Sequence, residues 1–165
     1  MESYEYYTVI SNSYESLYGA EQRKKISGII SILGIKDGDS ILDIGAGNGI
    51  LEKILHENDI LAVEPSSLFS FIPVNNHIKA ENKRISDFST NRKFDVVMCV
   101  TVLQDLNEEE RKICIEKAFE YCKPGGRIAI SVLKSSGIDL DYLKPRIITE
   151  IENDRVFIFY KTEKV

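Results

Sequence analysis

The sequence predicts an α/β fold, a seven-stranded mixed sheet with helices on both faces and a terminal antiparallel β-hairpin. Three observations carry that expectation. Ile41-Leu42-Asp43-Ile44 breaks into Gly45-Ala46-Gly47-Asn48-Gly49, and apolar residues then resume at helical spacing with Ile50, Leu51, Ile54 and Leu55. This is the strand, tight turn and helix that open a doubly wound sheet. Residues 94–100 form a nearly continuous apolar run, as in a central parallel strand covered on both faces. Residues 146–152 and 155–161 are β-rich runs joined by Asn153-Asp154, which reads as a hairpin.

The remaining elements follow in order. Residues 21–33 place Ile26, Ile29, Ile30 and Leu33 on one helical face. Asp37-Gly38-Asp39 is a turn, strand 1 is residues 40–44, and a helix covers 49–56. Strand 2 is residues 60–64, stopped by Pro65. A short helix is expected at 67–71 and strand 3 at about 83–86. Asn107 caps a helix whose first turn carries Glu108, Glu109 and Glu110, where the helix dipole favours anions. It runs to about Cys122 and is ended by Lys123-Pro124-Gly125-Gly126, ahead of strand 5 at 127–133. The chain of 165 residues reads as one domain, with residues 1–33 as an N-terminal helical segment and 34–165 as a Rossmann-like core.

Composition narrows the function classes. Hydrophobic residues make up 43% and charged residues 28%, ordinary for a globular chain. No apolar run approaches the roughly 18 residues of a membrane span. The first residues are acidic and aromatic, unlike a signal peptide, so a cytoplasmic location is expected and no membrane partner. The net charge of −5 argues against a main role on nucleic acid, apart from a local basic patch at Arg23-Lys24-Lys25. The three cysteines have no metal or disulfide spacing, and His56 and His77 have no partner at ligand spacing, so no metal is expected.

The glycine turn points to a cofactor-type ligand. Glycine permits positive φ and lets backbone N–H groups approach closely. A dinucleotide site needs a third glycine at position 50, where Ile50 stands; the spacing is instead Gly45-x-Gly47-x-Gly49 after Asp43. Glu64 ends strand 2 about 21 residues after Asp43, where an acid can accept both hydroxyls of a ribose. Asp87 follows strand 3, within reach of an adenine amino group. The loop has no Gly-Lys-Ser/Thr, which disfavours a triphosphate.

Five segments in this order resemble a class I S-adenosylmethionine-dependent methyltransferase, and Ile10-Ser11-Asn12-Ser13-Tyr14-Glu15-Ser16-Leu17-Tyr18-Gly19 resembles the N-terminal entry motif of its small ubiquinone/menaquinone-biosynthesis type. The five are Asp43-Ile44-Gly45-Ala46-Gly47-Asn48-Gly49, Leu61-Ala62-Val63-Glu64-Pro65, Phe94-Asp95-Val96-Val97-Met98-Cys99-Val100, Leu103-Gln104-Asp105-Leu106 and Lys123-Pro124-Gly125-Gly126-Arg127. The resemblance implies S-adenosylmethionine as cofactor and S-adenosylhomocysteine as product. It puts Gly45, Ala46, Gly47 and Gly49 under the methionine and ribose, with Asp43 acting through water or the ligand's amino group. It places Glu64, followed by Pro65, on the ribose hydroxyls, Asp87 on the adenine amino group and Phe88 beside the ring. Val100 and Thr101 line the methionine side, and Tyr14 and Tyr18 close over the cofactor or bond its carboxylate.

The methyl of a sulfonium is already activated, so such an enzyme mainly aligns and desolvates its two partners. Gln104 and Asp105 stand where related enzymes often carry histidines. Asp105 is a candidate proton acceptor, and its alternative reading is a solvated loop acid. The acceptor is expected to be a small molecule ahead of a protein or RNA, bound by a monomer or homodimer. A non-catalytic binding module of the same fold is the remaining alternative.

Overall fold

The structure, a computed structural model, describes residues 14–162, with the side chains of 14–18 excepted. Among them, seven strands form one sheet in the order β3-β2-β1-β4-β5-β7-β6. Helix α1 (Tyr14–Leu33) precedes β1 (Ser40–Ile44), α2 (Ile50–Ile54), β2 (Asp59–Val63), β3 (Ile78–Glu81) and β4 (Phe94–Val100). Helix α3 (Glu108–Glu120), β5 (Cys122–Leu133), β6 (Ile147–Ile151) and β7 (Asp154–Tyr160) complete the chain. Strands β3, β2, β1, β4 and β5 are parallel, whereas β7 pairs antiparallel with both β5 and β6.

Alternating side chains divide the sheet into two apolar layers. Ile41, Ile60, Val96, Met98, Ala129 and Ile158 face one way and pack with Ile29 and Leu33 of α1 and Leu51 of α2. Leu42, Ile44, Val97, Cys99, Ile128 and Phe157 face the other way and pack with Cys114, Ile115 and Ala118 of α3. Two side chains clamp the starts of neighbouring strands. Asp95 Oδ2 accepts from the Ser40 amide at 2.8 Å and from its hydroxyl at 3.1 Å. Arg127 of β5 donates to the carbonyls of Leu33 and Gly34 and reaches Asp39 Oδ2 at 2.7 Å, satisfying the open carbonyl end of α1.

Several boundaries differ from the expectation. Helix α1 starts earlier, at Tyr14, and α2 is only five residues long. The third strand is Ile78–Glu81, not 83–86; residues Ile85–Asp87 form a single 3-10 turn instead. Only Ile78 of β3 is buried on this edge strand, so its polar neighbours hid it from a hydrophobicity reading. Strand β5 begins at Cys122, and Lys123-Pro124-Gly125-Gly126 bulges out between its pairings with Phe94 and Val96. A methyl group on Gly126 would lie 2.6 Å from Cys122 Sγ and 2.9 Å from the Asp95 carbonyl, so the bulge closes only around glycine. Asp154, expected in the hairpin turn, is the buried first residue of β7; the turn is Glu152-Asn153, with Glu152 at φ 53°.

Candidate active site

The order of strands reverses between β1 and β4, and a cleft opens there at the carboxyl ends of the parallel strands, the usual ligand position in such sheets. A cavity of about 350 Å³ occupies it. The end of β1 and the glycine turn contribute Asp43, Ile44, Gly45, Ala46, Gly47 and Asn48. The end of β2 contributes Val63, Glu64 and Pro65, and β4 with the turn after it contributes Val100, Thr101, Val102 and Asp105. Gln22 and Ile26 of α1 and Lys83, Arg84 and Ile85 after β3 complete much of the wall.

The glycine turn is tied down by β2. The amides of Gly45 and Ala46 both donate to the Val63 carbonyl, at 2.8 and 3.1 Å. The Gly47 amide donates to Glu64 Oε1 at 2.8 Å. Glu64 Oε2 accepts from the Ser66 amide at 2.9 Å and its hydroxyl at 2.7 Å. The carboxylate is therefore fixed at the cavity edge; Oε2 is filled by its two Ser66 donors, while Oε1, with one, keeps acceptor capacity for a further donor. Gly45, Gly47 and Gly49 all have positive φ. A methyl on Gly45 would sit 2.4 Å from Val102 Cγ2, so the two ends of the strand switch approach as closely as glycine allows.

Beneath the turn lies a second acid. Glu52 of α2 is fully buried, and no donor among the described residues reaches either of its oxygens. Its carboxyl lies against that of Asp43, which is itself buried and lines the cavity. A hydrogen bond between two carboxyls needs a proton on one of them. Burial, with the charge of Asp43 adding to it, pushes Glu52 well above the usual carboxylate range. Burial is also the largest influence on Asp43, pushed up to about 6; the bond from Glu52 opposes it and the charge of Glu64 adds to it.

Of the residues singled out in the sequence, Asp43, Gly45, Ala46, Gly47, Glu64, Pro65, Val100, Thr101 and Asp105 line this one cavity. Gly49 does not; it is the left-handed cap of α2 and packs against Ile72 and Pro73. Asp87 and Phe88 do not join the other candidates at this cavity. Because β3 ends six residues before it, Asp87 is exposed and outside the cavity wall. Phe88 is fully buried in the core, edge-on to Tyr121. Lys83, Arg84 and Ile85 occupy the wall in their place. Gln104 is also outside the wall, and its amide donates to the Thr101 carbonyl at 2.7 Å. Tyr14 and Tyr18 fall in α1, but their side chains lie outside the described residues. The basic patch dissolves too: Arg23 and Lys24 are exposed while Lys25 is buried.

The sequence model of a methyltransferase domain matches residues 18–157. The chain belongs to the methyltransferase-domain family. Solved structures agree in fold with this domain. Magnesium protoporphyrin IX methyltransferase from Synechocystis, with bound S-adenosylmethionine, superposes with a TM-score of 0.75 at 14% identity, over 96% of this chain and 95% of that one. The 1,6-didemethyltoxoflavin-N1-methyltransferase of Burkholderia thailandensis, with its namesake ligand and S-adenosylhomocysteine, gives 0.69 at 17% identity, over 96% and 89%. Coclaurine N-methyltransferase, bound to N-methylheliamine and S-adenosylhomocysteine, gives 0.58 at 17% identity over 66% of this chain. The domain spans 35% of that protein's length. Among curated proteins none matches the chain.

Proposed function

We propose that the domain transfers the methyl group of S-adenosylmethionine to a small-molecule acceptor held in the same cleft. The observation that carries this is the fixed Glu64 carboxylate beside the glycine turn, at the edge of a cavity set on the strand switch. Its Oε1, held by one protein donor and open on its other side, suits a ribose hydroxyl, with the carboxylate locked in place by Ser66. Gly45, Ala46 and Gly47 bring backbone close to the cofactor; Asp43 faces its cationic end; Val100 and Thr101 form the wall beside its methionine part. Lys83, Arg84 and Ile85 take the adenine side.

When bound, the cofactor supplies an activated methyl on sulfur. The chain's own contribution is alignment and exclusion of water by Ile26, Val100, Val102 and Leu106. Asp105 lines the cavity and is the carboxylate we assign to accept a proton from the acceptor. Gln22 and Ile26 of α1 close one side of the cleft over the cofactor. A concave cleft of about 350 Å³ favours a small acceptor over a protein or RNA. Three buried free cysteines, two of them thiols in hydrogen-bond contact at 3.6 Å, fit a reducing, cytoplasmic setting. No described helix is long and apolar enough to cross a membrane.

Calorimetric titration with S-adenosylmethionine and S-adenosylhomocysteine, with NAD as control, tests the reading. Micromolar binding of the first two and none of NAD is expected. Binding of NAD alone overturns it.

A further inference from the structure

Lys25, Ile29 and Leu33 recur every four residues along α1, and all three are buried, at 1%, 0% and 2% exposure. A lysine thus sits on a stripe that otherwise enters the core. Its Nζ lies 3.0 Å from Asp154 Oδ1, with the two side chains 2% and 0% exposed. Replacing a buried ion pair by apolar residues is often neutral for stability, so stability alone does not account for this one.

What the pair grips is Thr101. Lys25 Nζ donates to Thr101 Oγ1 at 2.9 Å, and that hydroxyl donates to Asp154 Oδ2 at 2.7 Å. Ser131 donates to the same Asp154 oxygen at 2.8 Å and receives the Thr101 amide at 3.1 Å. The Thr101 carbonyl accepts from Gln104. Every polar atom of Thr101 is therefore held. Its φ is 59°, a left-handed conformation that a β-branched residue rarely takes and that persists only where surroundings enforce it. Thr101 lines the cavity directly after β4.

We propose that Lys25 and Asp154 are positioning residues for methyl transfer, acting through Thr101, whose hydroxyl and left-handed backbone they hold at the cavity wall. The arrangement also ties the seating of α1 to the shape of the site, because the ammonium comes from that helix. The inference rests on the cavity being the cofactor site.

The test is calorimetric affinity of the full chain for S-adenosylmethionine, with thermal unfolding recorded alongside, in Lys25→Met, Thr101→Val and their double variant. Each single variant is expected to weaken binding about tenfold, and the double variant to be within about twofold of the weaker single, because both remove one device. Thr101→Ser, which returns the hydroxyl, should recover most of what Thr101→Val loses. Effects that multiply in the double variant, or a Lys25→Met protein that melts lower but binds as tightly as the parent, overturn the proposal. If Lys25→Met does not fold, Asp154→Asn takes its place in the cycle; if neither folds, the contrast between Thr101→Val and Thr101→Ser decides. A parent chain that binds no S-adenosylmethionine sinks the cofactor reading itself, whereas a binding parent with unmoved variants sinks only this inference.

Discussion

The Gly47 amide and Glu64 Oε1 are 2.8 Å apart, so the acid that ends β2 also anchors the turn that follows β1. Losing Glu64 therefore has two effects: it removes an acceptor from the cavity and frees the turn. Hydrogen bonds to a charged group contribute about 1.5–3 kcal/mol each. Glu64→Gln is expected to weaken S-adenosylmethionine binding by roughly 10- to 100-fold and Glu64→Ala by more. Gly47→Arg should abolish binding while the fold survives. Calorimetry with a thermal melt on each variant checks this; tight binding by Glu64→Ala and Gly47→Arg together would contradict the assignment of the turn.

Asp43 and Glu52 give the domain a pH dependence of definite sign. Both carboxyls are raised, Asp43 from 3.8 to about 6 and Glu52 from 4.5 further up. Between those limits the folded chain holds protons that the unfolded chain has released. Their favourable linkage is present in full below the unfolded values and is lost as pH rises through about 6 and above. Glu52→Gln keeps a donor for Asp43 and removes one titration. The drop in urea midpoint between pH 5 and pH 8 should be shallower in this variant than in the parent. An equal drop in both would show that Glu52 titrates normally.

Gly45 and Val102 meet where the strand order switches. Gly45→Ala places a methyl against Val102 Cγ2 on a backbone already at φ 72°. It should lower stability by about 1–3 kcal/mol. Val102→Ala in the same chain opens that contact and should restore about 1 kcal/mol, leaving the backbone strain. Urea unfolding of the four species of the cycle measures both terms; a double variant no better than Gly45→Ala would mean that the backbone alone sets the cost.

Asp87 and Phe88 lie outside the cavity wall. Asp87→Ala should leave S-adenosylmethionine affinity unchanged within about threefold, as expected of an exposed side chain outside the wall. Phe88→Ala should lower stability by about 3–5 kcal/mol through the cavity it leaves against Tyr121. A tenfold loss of affinity in Asp87→Ala would return it to the site.

The sheet and the glycine turn were legible in the sequence because local patterns specify them. Ser40–Ile44 was bounded to the residue, and the hydrophobic run of β4 marked a strand covered on both faces. Legibility failed where one face or one partner decides. Strand β3 is an edge with a single buried side chain, so its signal is weak, and the shift of its position moved the expected adenine contact to Asp87. As charges, Lys25 and Asp154 carry the local pattern of a surface patch and a turn; neither makes sense in the core without the other. A clue existed for Lys25, which falls on the same four-residue stripe as Ile29 and Leu33. For Asp154 nothing local distinguishes a buried acid from a turn acid. Glu52 was missed likewise, since helical periodicity cannot show that a carboxyl is held beside another carboxyl.

Arg127 closes the carbonyl end of α1 from 94 residues further along the chain, and Asp154 meets Lys25 from further still. During synthesis the helix emerges long before either partner. Until β5 and the hairpin leave the ribosome, α1 has an unsatisfied end and a lysine with no counter-ion to bury. The first of the described helices is thus among the last to be locked, and the cavity wall at Thr101 takes its final shape only when β7 is in place.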